Sequence, residues 1–336
     1  MDTLIFAANS VLPIIFVIVL GYWLRKINFY DDNFLKLANK FVFNVCIPVY
    51  LFYNVYNIES FSKVNWSIVI YCTLLILAIF FASYFVTLIY TKESGKRGVL
   101  IQCAFRSNFA IIGLTLADSI GGSDAVAIAA VLSAFSIPLF NVLAVIVLSI
   151  FGNSKTNSPT PKGILISVIK NPLIIGVSIA LLCLVIRNLL PLNSNGEPVF
   201  TIKNNIPSLY KAIDSVGSIA SPLALIVLGG QFTFSAVRSL AKDIAYGSIW
   251  RLVIAPLSAI GLLVILARAG IMEVDSSCYP SLIALFGSPV AVSSAIMAES
   301  MDCNGELARQ LVVWTSLLSI LTIFITVFLL RYFCLI

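Results

Sequence analysis

Apolar runs of about twenty residues recur along the whole chain, separated by short polar stretches. A hydrocarbon layer roughly 30 Å thick needs about 20 apolar residues in a helix to cross it. The pattern therefore predicts ten membrane-spanning helices. They fall near 5–24, 34–57, 65–90, 97–120, 124–151, 163–188, 207–230, 240–268, 278–300 and 305–334. The first run lacks a basic leader and a small-residue cleavage site, so it reads as a span and not a removable signal. Arg25-Lys26 followed by Asp31-Asp32 closes the first span, and 91–97 closes the third. Residues 152–162, opening GNSKTNSPTP, read as a short linker between a first half, 1–151, and a second, 163–336. Asn193-Ser194-Asn195-Gly196 is a further polar turn.

The two halves echo each other. Phe105–Ser119 (FRSNFAIIGLTLADS) aligns with Phe286–Ser300 (FGSPVAVSSAIMAES), with identities at Phe105/Phe286, Ser107/Ser288, Ala110/Ala291, Ala117/Ala298 and Ser119/Ser300. Asp118 meets Glu299 in the same register. Pro48 matches Pro222 and Pro13 matches Pro172 more loosely. With five spans per half, the second half enters the membrane from the opposite side, which makes an inverted repeat.

Composition narrows the class. Hydrophobic residues are 60% of 336 and charged ones 11%, against about 25% charged in a soluble domain. Only a lipid-facing surface suits that balance. The net charge of +6 lies in loops and forms no stripe, so nucleic acid is not expected. On alternate sides of the predicted spans, Lys and Arg number thirteen and six, with Arg106 and Arg251 inside spans. The positive-inside rule then puts the thirteen in the cytoplasm and both termini outside, in a multi-pass plasma or inner membrane protein. The chain has no His, and its seven cysteines form no paired motif. No metal, cofactor or disulfide framework is expected, and no catalytic constellation points to an enzyme. Tyr22, Trp23, Trp66, Trp250 and Tyr332 read as an interfacial belt.

The fourth and ninth spans carry the chemistry. Each has a polar, helix-breaking cluster in mid-segment: Arg106-Ser107-Asn108 and Gly287-Ser288-Pro289. Unwound backbone at membrane depth must be buried in protein or line a cavity. Half-helix N-termini there offer positive dipole ends and amides to a carboxylate. Read blandly, Pro289 is an ordinary kink. Arg106 lies about nine residues inside its span. It either forks onto a substrate carboxylate, snorkels to the interface, or pairs with Asp118 or Glu299. In Asn44-x-x-x-Pro48, the amide is either a ligand contact or local repair of the proline kink. Ser218, Ser221 and Pro222 take the equivalent place in the seventh span, which Gly229-Gly230-Gln231 ends with a polar residue. Asp118 and Glu299 are either proton-relay groups or solvated ion-pair partners. Arg251 either pairs with one of them or marks a helix end, and Pro256 reads as a kink.

These residues carry a resemblance. Asn44–Pro48 (N-x-x-x-P), Arg106–Gly113 (R-x-N-x4-G), Ser221–Gly229 (S-P-L-A-L-x-x-L-G) and Ser288–Ala291 (S-P-x-A) resemble the auxin efflux carrier family in order and spacing along essentially the whole chain. The short linker is similar to that of compact microbial members, the malate or malonate permeases. The resemblance implies an all-α membrane protein of ten transmembrane helices in two inverted five-helix repeats, like bile acid/sodium symporters. It implies broken, crossing helices 4 and 9, a scaffold from helices 1, 2, 6 and 7, and a transport domain from helices 3–5 and 8–10. Asn108 and Pro289 would be crossover residues, with Asn44 and Ser218 on the site wall. Asn108 stands where many relatives have proline. The expected activity is secondary transport of a small organic anion, a mono- or dicarboxylate, by an elevator motion. A passive anion channel is the alternative, and a homodimer is left open.

Overall fold

The computed structural model describes residues 2–57, 66–152, 166, 169–191, 198–232, 234–333 and 335–336. Apart from Gly152, the expected linker lies outside the described residues, as do the turn at 193–196 and Cys334. Among the described residues the chain is helical and has no strand, and an isolated β-bridge joins Ser107 to Val290. Among the described residues, seven stretches are long and apolar enough to cross a membrane: Asp32–Tyr53, Trp66–Tyr90, Asp124–Phe151, Pro172–Leu189, Pro207–Gly230, Ala236–Arg268 and Gly305–Tyr332.

The first half holds α1 (Asp2–Lys26), α2 (Asp32–Phe41), α3 (Ile47–Tyr56), α4 (Trp66–Tyr90), α5 (Ser94–Phe105) and α6 (Leu114–Phe151). The second holds α7 (Pro172–Leu189), α8 (Ile202–Asn205), α9 (Pro207–Ser218), α10 (Ala220–Gly230), α11 (Ser235–Ile249) and α12 (Ala255–Arg268). It ends with α13 (Cys278–Leu282), α14 (Ser293–Ser300) and α15 (Gly305–Tyr332).

Local sequence explains the starts and bends. Asp31 caps α2 by accepting from the Phe34 amide at 2.8 Å. Asn171 caps α7 at the Leu173 amide, 3.0 Å away, with Pro172 in the first turn where its missing N–H is harmless. Asn304 caps α15 at the Leu307 amide, 2.9 Å. π-helical turns, Val42–Cys46 and Trp250–Ile254, stand just before Pro48 and Pro256. Each proline removes a donor and crowds the preceding turn, and the wider turn absorbs both effects. α6 bends at Gly122 (φ 65°, ψ −158°), a backbone conformation open in practice only to glycine.

Small residues set the closest packing. Where α1 crosses α10, a Cβ on Gly21 would sit 2.3 Å from the Ile226 carbonyl oxygen, and one on Gly229 2.0 Å from that of Ile18. Where α3 meets α7, a Cβ on Gly176 would lie 2.6 Å from the Pro48 carbonyl. Such contacts replace a hydrophobic driving force between membrane helices. The outer surface stays apolar: Ile175, Ile179, Leu182, Val185 and Leu189 of α7 are all exposed. Trp250, expected at an interface, is instead buried in the middle of the α11–α12 helix. That π-turn rotates its ring inward, where it tilts against Tyr246.

Candidate functional site

Two interruptions meet inside the protein. α5 stops at Phe105, and Arg106 is extended (φ −91°, ψ 101°). After α13 and its π-turn Ile283–Gly287, Ser288 is extended too (φ −63°, ψ 148°). The extended pieces run antiparallel, with Ser107 facing Val290 across the bridge. The Asn108 amide donates to the Pro289 carbonyl at 2.7 Å, and the Ala291 amide to the Arg106 carbonyl at 3.4 Å. Thr315 of α15 accepts from the Val290 amide at 3.1 Å. The chain then re-enters helix through the π-turn Phe109–Gly113 on one side and α14 on the other. Pro289 explains one break, because it has no N–H for the turn before it. The other needs no proline, because its amide hydrogen bond goes across the crossing.

A cavity opens beside this crossing, with about 580 Å³ of empty space including its mouth. One wall is Ile47, Tyr50 and Leu51 of α3 with Ala220, Ser221 and Ala224 of α10. The other is Arg106, Ser107 and Asn108 with Ala291–Ser293 and, from α6, Ile137, Phe140 and Asn141. Among the described residues, Arg106 is its only charged lining residue.

Arg106 is 4% exposed. Its Nη2 donates to Asn141 Oδ1 at 2.8 Å and to Ser293 Oγ at 2.9 Å. Its Nη1 rests on the Met297 thioether. Neither Asp118 nor Glu299 pairs with it, and among the described residues no ion pair includes it. A charge at such depth costs roughly 3 kcal/mol or more unless compensated, and three neutral acceptors supply no counter-charge. Beside it, Asn108 Nδ2 and Ser107 Oγ are buried without a hydrogen-bond partner. A guanidinium lacking an anion and two residues with unpartnered polar atoms stand together in the lining of one cavity, which suits a carboxylate. Amides contribute less than the sequence suggests. Those of Val290, Ala291, Ser294 and Ala295 already donate to Thr315 Oγ1, Arg106 O, Ala291 O and Val292 O.

The remaining candidates lie elsewhere. Asn44 is exposed and its amide donates to the Lys40 carbonyl at 2.8 Å, repairing its own helix. Pro48 is buried against Gly176. Ser218 is exposed and donates to the Ser215 carbonyl at 2.8 Å. Ser288 is buried at the break and donates to the Ala284 carbonyl at 2.5 Å. Asp118 is exposed. Glu299 pairs with Arg309 at 3.1 Å and accepts from Gln231 Nε2 at 3.1 Å, so Gln231 does more than end a helix. Arg251 is fully buried, has no acidic partner among the described residues, and donates to the carbonyls of Ala104 (3.2 Å) and Phe286.

Asn141, Ser293 and Met297 escaped the sequence reading. Asn141 left a signal, a lone amide three residues after Pro138 in a 28-residue apolar helix. Ser293 and Met297 left none.

The family model described as "Membrane transport protein" matches residues 6–162 and 160–327, nearly the whole chain. No curated protein matches the chain. With the crossing helices, the apolar surface and this match together, the chain belongs to the membrane transport protein family, the family of the auxin efflux carriers.

Proposed function

We propose that this transporter is a carrier for a small organic anion, and that the cavity beside the crossing is its binding site. The observation that carries the reading is Arg106, a buried guanidinium with no acidic partner among the described residues, beside the idle Asn108 amide and Ser107 hydroxyl. A bound carboxylate would take over the Arg106 edge that now rests on sulfur and accept from Asn108. One cation in the lining fits one carboxylate. Ile47, Leu51, Ile137 and Phe140 suit an apolar remainder.

Ten spans in two inverted repeats give this arrangement its simplest topology, with both termini extracytoplasmic and the Lys/Arg-rich loops in the cytoplasm. Spans 1, 2, 6 and 7 form a scaffold, and spans 3–5 and 8–10 the moving body. Support comes from the cavity walls: α3 and α10 contribute mostly apolar or small residues, over which the crossing could slide while breaking few directional bonds. Such an elevator motion carries the site across the membrane with its ligand. An anion leaving a negative-inside cell gains about 2.3 kcal/mol per charge per 100 mV, so efflux requires no coupling ion.

The test is flux of labelled malate and indole-3-acetate in proteoliposomes, comparing wild type with Arg106→Met and Asn108→Ala. Saturable flux of either acid, lost in both variants, is the expected result. Flux untouched by both substitutions removes the site assignment. Single-channel currents far above carrier turnover would replace the carrier with a passive channel.

A further inference from the structure

Arg251 has no part in that cavity, yet its guanidinium is completely buried. Its place becomes clear from the fate of each helical hydrogen bond at the crossing. In an unbroken helix the Ala104 carbonyl would accept from the amide of residue 108, and the Phe286 carbonyl from that of residue 290. Neither amide is free. Asn108 N–H donates to the Pro289 carbonyl across the crossing, and Val290 N–H donates to Thr315 Oγ1. Two of the carbonyls orphaned by the breaks, one in each half-helix, are received by Arg251, one on each Nη. Both stand at the C-terminal, partially negative ends of their half-helices, where a cation is favoured. Ala104 and Phe286 belong to different halves of the chain, so one side chain from a third helix ties both breaks together.

We propose that Arg251 is the positioning residue of the crossing: its fork replaces the two diverted amides and holds residues 106–108 and 288–291 in register. It touches no ligand. It keeps Arg106, Ser107 and Asn108 aimed at the cavity, and its charge offsets the negative half-helix ends so that the positive ends opposite them prevail at the site. The π-turn at Trp250–Ile254 places it there, because the widened turn before Pro256 carries Arg251 into the core.

The functional consequence rests on the carrier reading above, but the geometric one does not, and the experiment separates them. Hydrogen–deuterium exchange is followed in the ligand-free, full-length protein, on peptides covering 104–112 and 285–295, with 66–90 as the internal control. Arg251→Met keeps most of the side-chain bulk but loses charge and donors. It is expected to speed exchange at least about tenfold in the two crossing peptides, with the control unchanged. Arg251→Lys retains the charge and two of the needed donations on one nitrogen, and is expected to restore most of the protection. In proteoliposomes, Arg251→Met should raise the KM of whichever acid the wild type carries more than it lowers kcat. Equal protection of the crossing peptides in wild type and Arg251→Met overturns the proposal. If Arg251→Met does not fold, Arg251→Lys decides alone: crossing peptides that exchange as slowly as wild type support the role of the charge. Exchange accelerated equally in crossing and control peptides refutes it. Loss of all flux in wild type would count against the carrier reading and leave the exchange result standing.

Discussion

Replacing Arg106 by Met separates ligand binding from stability, and the two effects differ enough in size to be told apart. For the empty protein the terms oppose. Removing the charge relieves a penalty of roughly 3 kcal/mol or more for an uncompensated cation at membrane depth. It also forfeits the charge-assisted bonds to Asn141 Oδ1 and Ser293 Oγ, about 1.5–3 kcal/mol each. The thioether contact with Met297 adds little, because sulfur is a weak acceptor. These sums nearly cancel, so the apparent melting temperature in detergent should move by only a few degrees. Binding has no such compensation. A carboxylate seated on the guanidinium makes two charge-assisted bonds worth at least about 3 kcal/mol together. Their loss weakens affinity at least about 100-fold, at ~1.4 kcal/mol per decade. Arg106→Lys keeps the charge but loses the planar fork, so about tenfold is expected. The assay is the ligand-induced thermal shift, paired with saturation of flux, for malate and indole-3-acetate. A Met variant whose half-saturation lies within threefold of wild type would refute the reasoning. So would a variant that melts far below wild type, since Arg106 would then be holding the fold and not a ligand.

Three further outcomes follow from the same contacts. Gly229→Ala and Gly21→Ala each push a methyl to 2.0–2.3 Å from a backbone carbonyl across the α1–α10 crossing. The helices must part, at about 1–3 kcal/mol each, so thermal unfolding in detergent should fall by several degrees. Gly261→Ala, with nothing within 4 Å, should be neutral or slightly stabilising. Gln231→Leu removes the bond from the end of α10 to Glu299 and the longer 3.4 Å contact with Arg309. If α10 slides against these groups on each cycle, losing about 1 kcal/mol there raises turnover roughly fivefold at unchanged KM. Equal turnover in wild type and variant argues against sliding along this interface. Finally, among the described residues no carboxylate lines the cavity, and the chain has no His. Flux of a fully ionised acid should therefore stay flat between about pH 6 and 8, and a tenfold pH dependence of initial rate there would expose a titrating group in the cycle.

What the sequence displayed and what it hid divide along a physical line. Gly287-Ser288-Pro289 announces its break, because a missing N–H acts through the local backbone. The Arg106–Asn108 break is legible only as polarity in an apolar run. Its cause is the Pro289 carbonyl 181 residues away, which captures the Asn108 amide, and no local propensity encodes that. Asn44 and Ser218 stood out as polar residues near prolines, yet both turn to carbonyls of their own helices. The wall positions beside them are Ile47, Tyr50 and Leu51, and Ala220, Ser221 and Ala224. Most of these are apolar or small, as a smooth wall requires, and in a chain that is 60% hydrophobic such residues carry no signal. Trp250 shows the same limit, since aromatic type suggested an interface while a π-turn directed the ring inward.

Arg106 and Arg251 make the strongest case for reading charge by its partners and not by its depth. Both are buried guanidiniums, and neither has an acid within reach among the described residues. Arg251 meets two carbonyls whose helical donors went elsewhere, so backbone dipoles answer both its Nη groups, and only its Nε is left without a partner. Arg106 meets an amide oxygen, a hydroxyl and a thioether, which leave its charge unanswered and its cavity edge free for an anion. The same substitution to Met should therefore act in opposite ways. At 251 it should loosen the crossing before any ligand arrives. At 106 it should leave the crossing closed and remove the response to a carboxylate. A pair of variants that both loosened the crossing, or both spared it, would show that partner chemistry does not sort these two arginines.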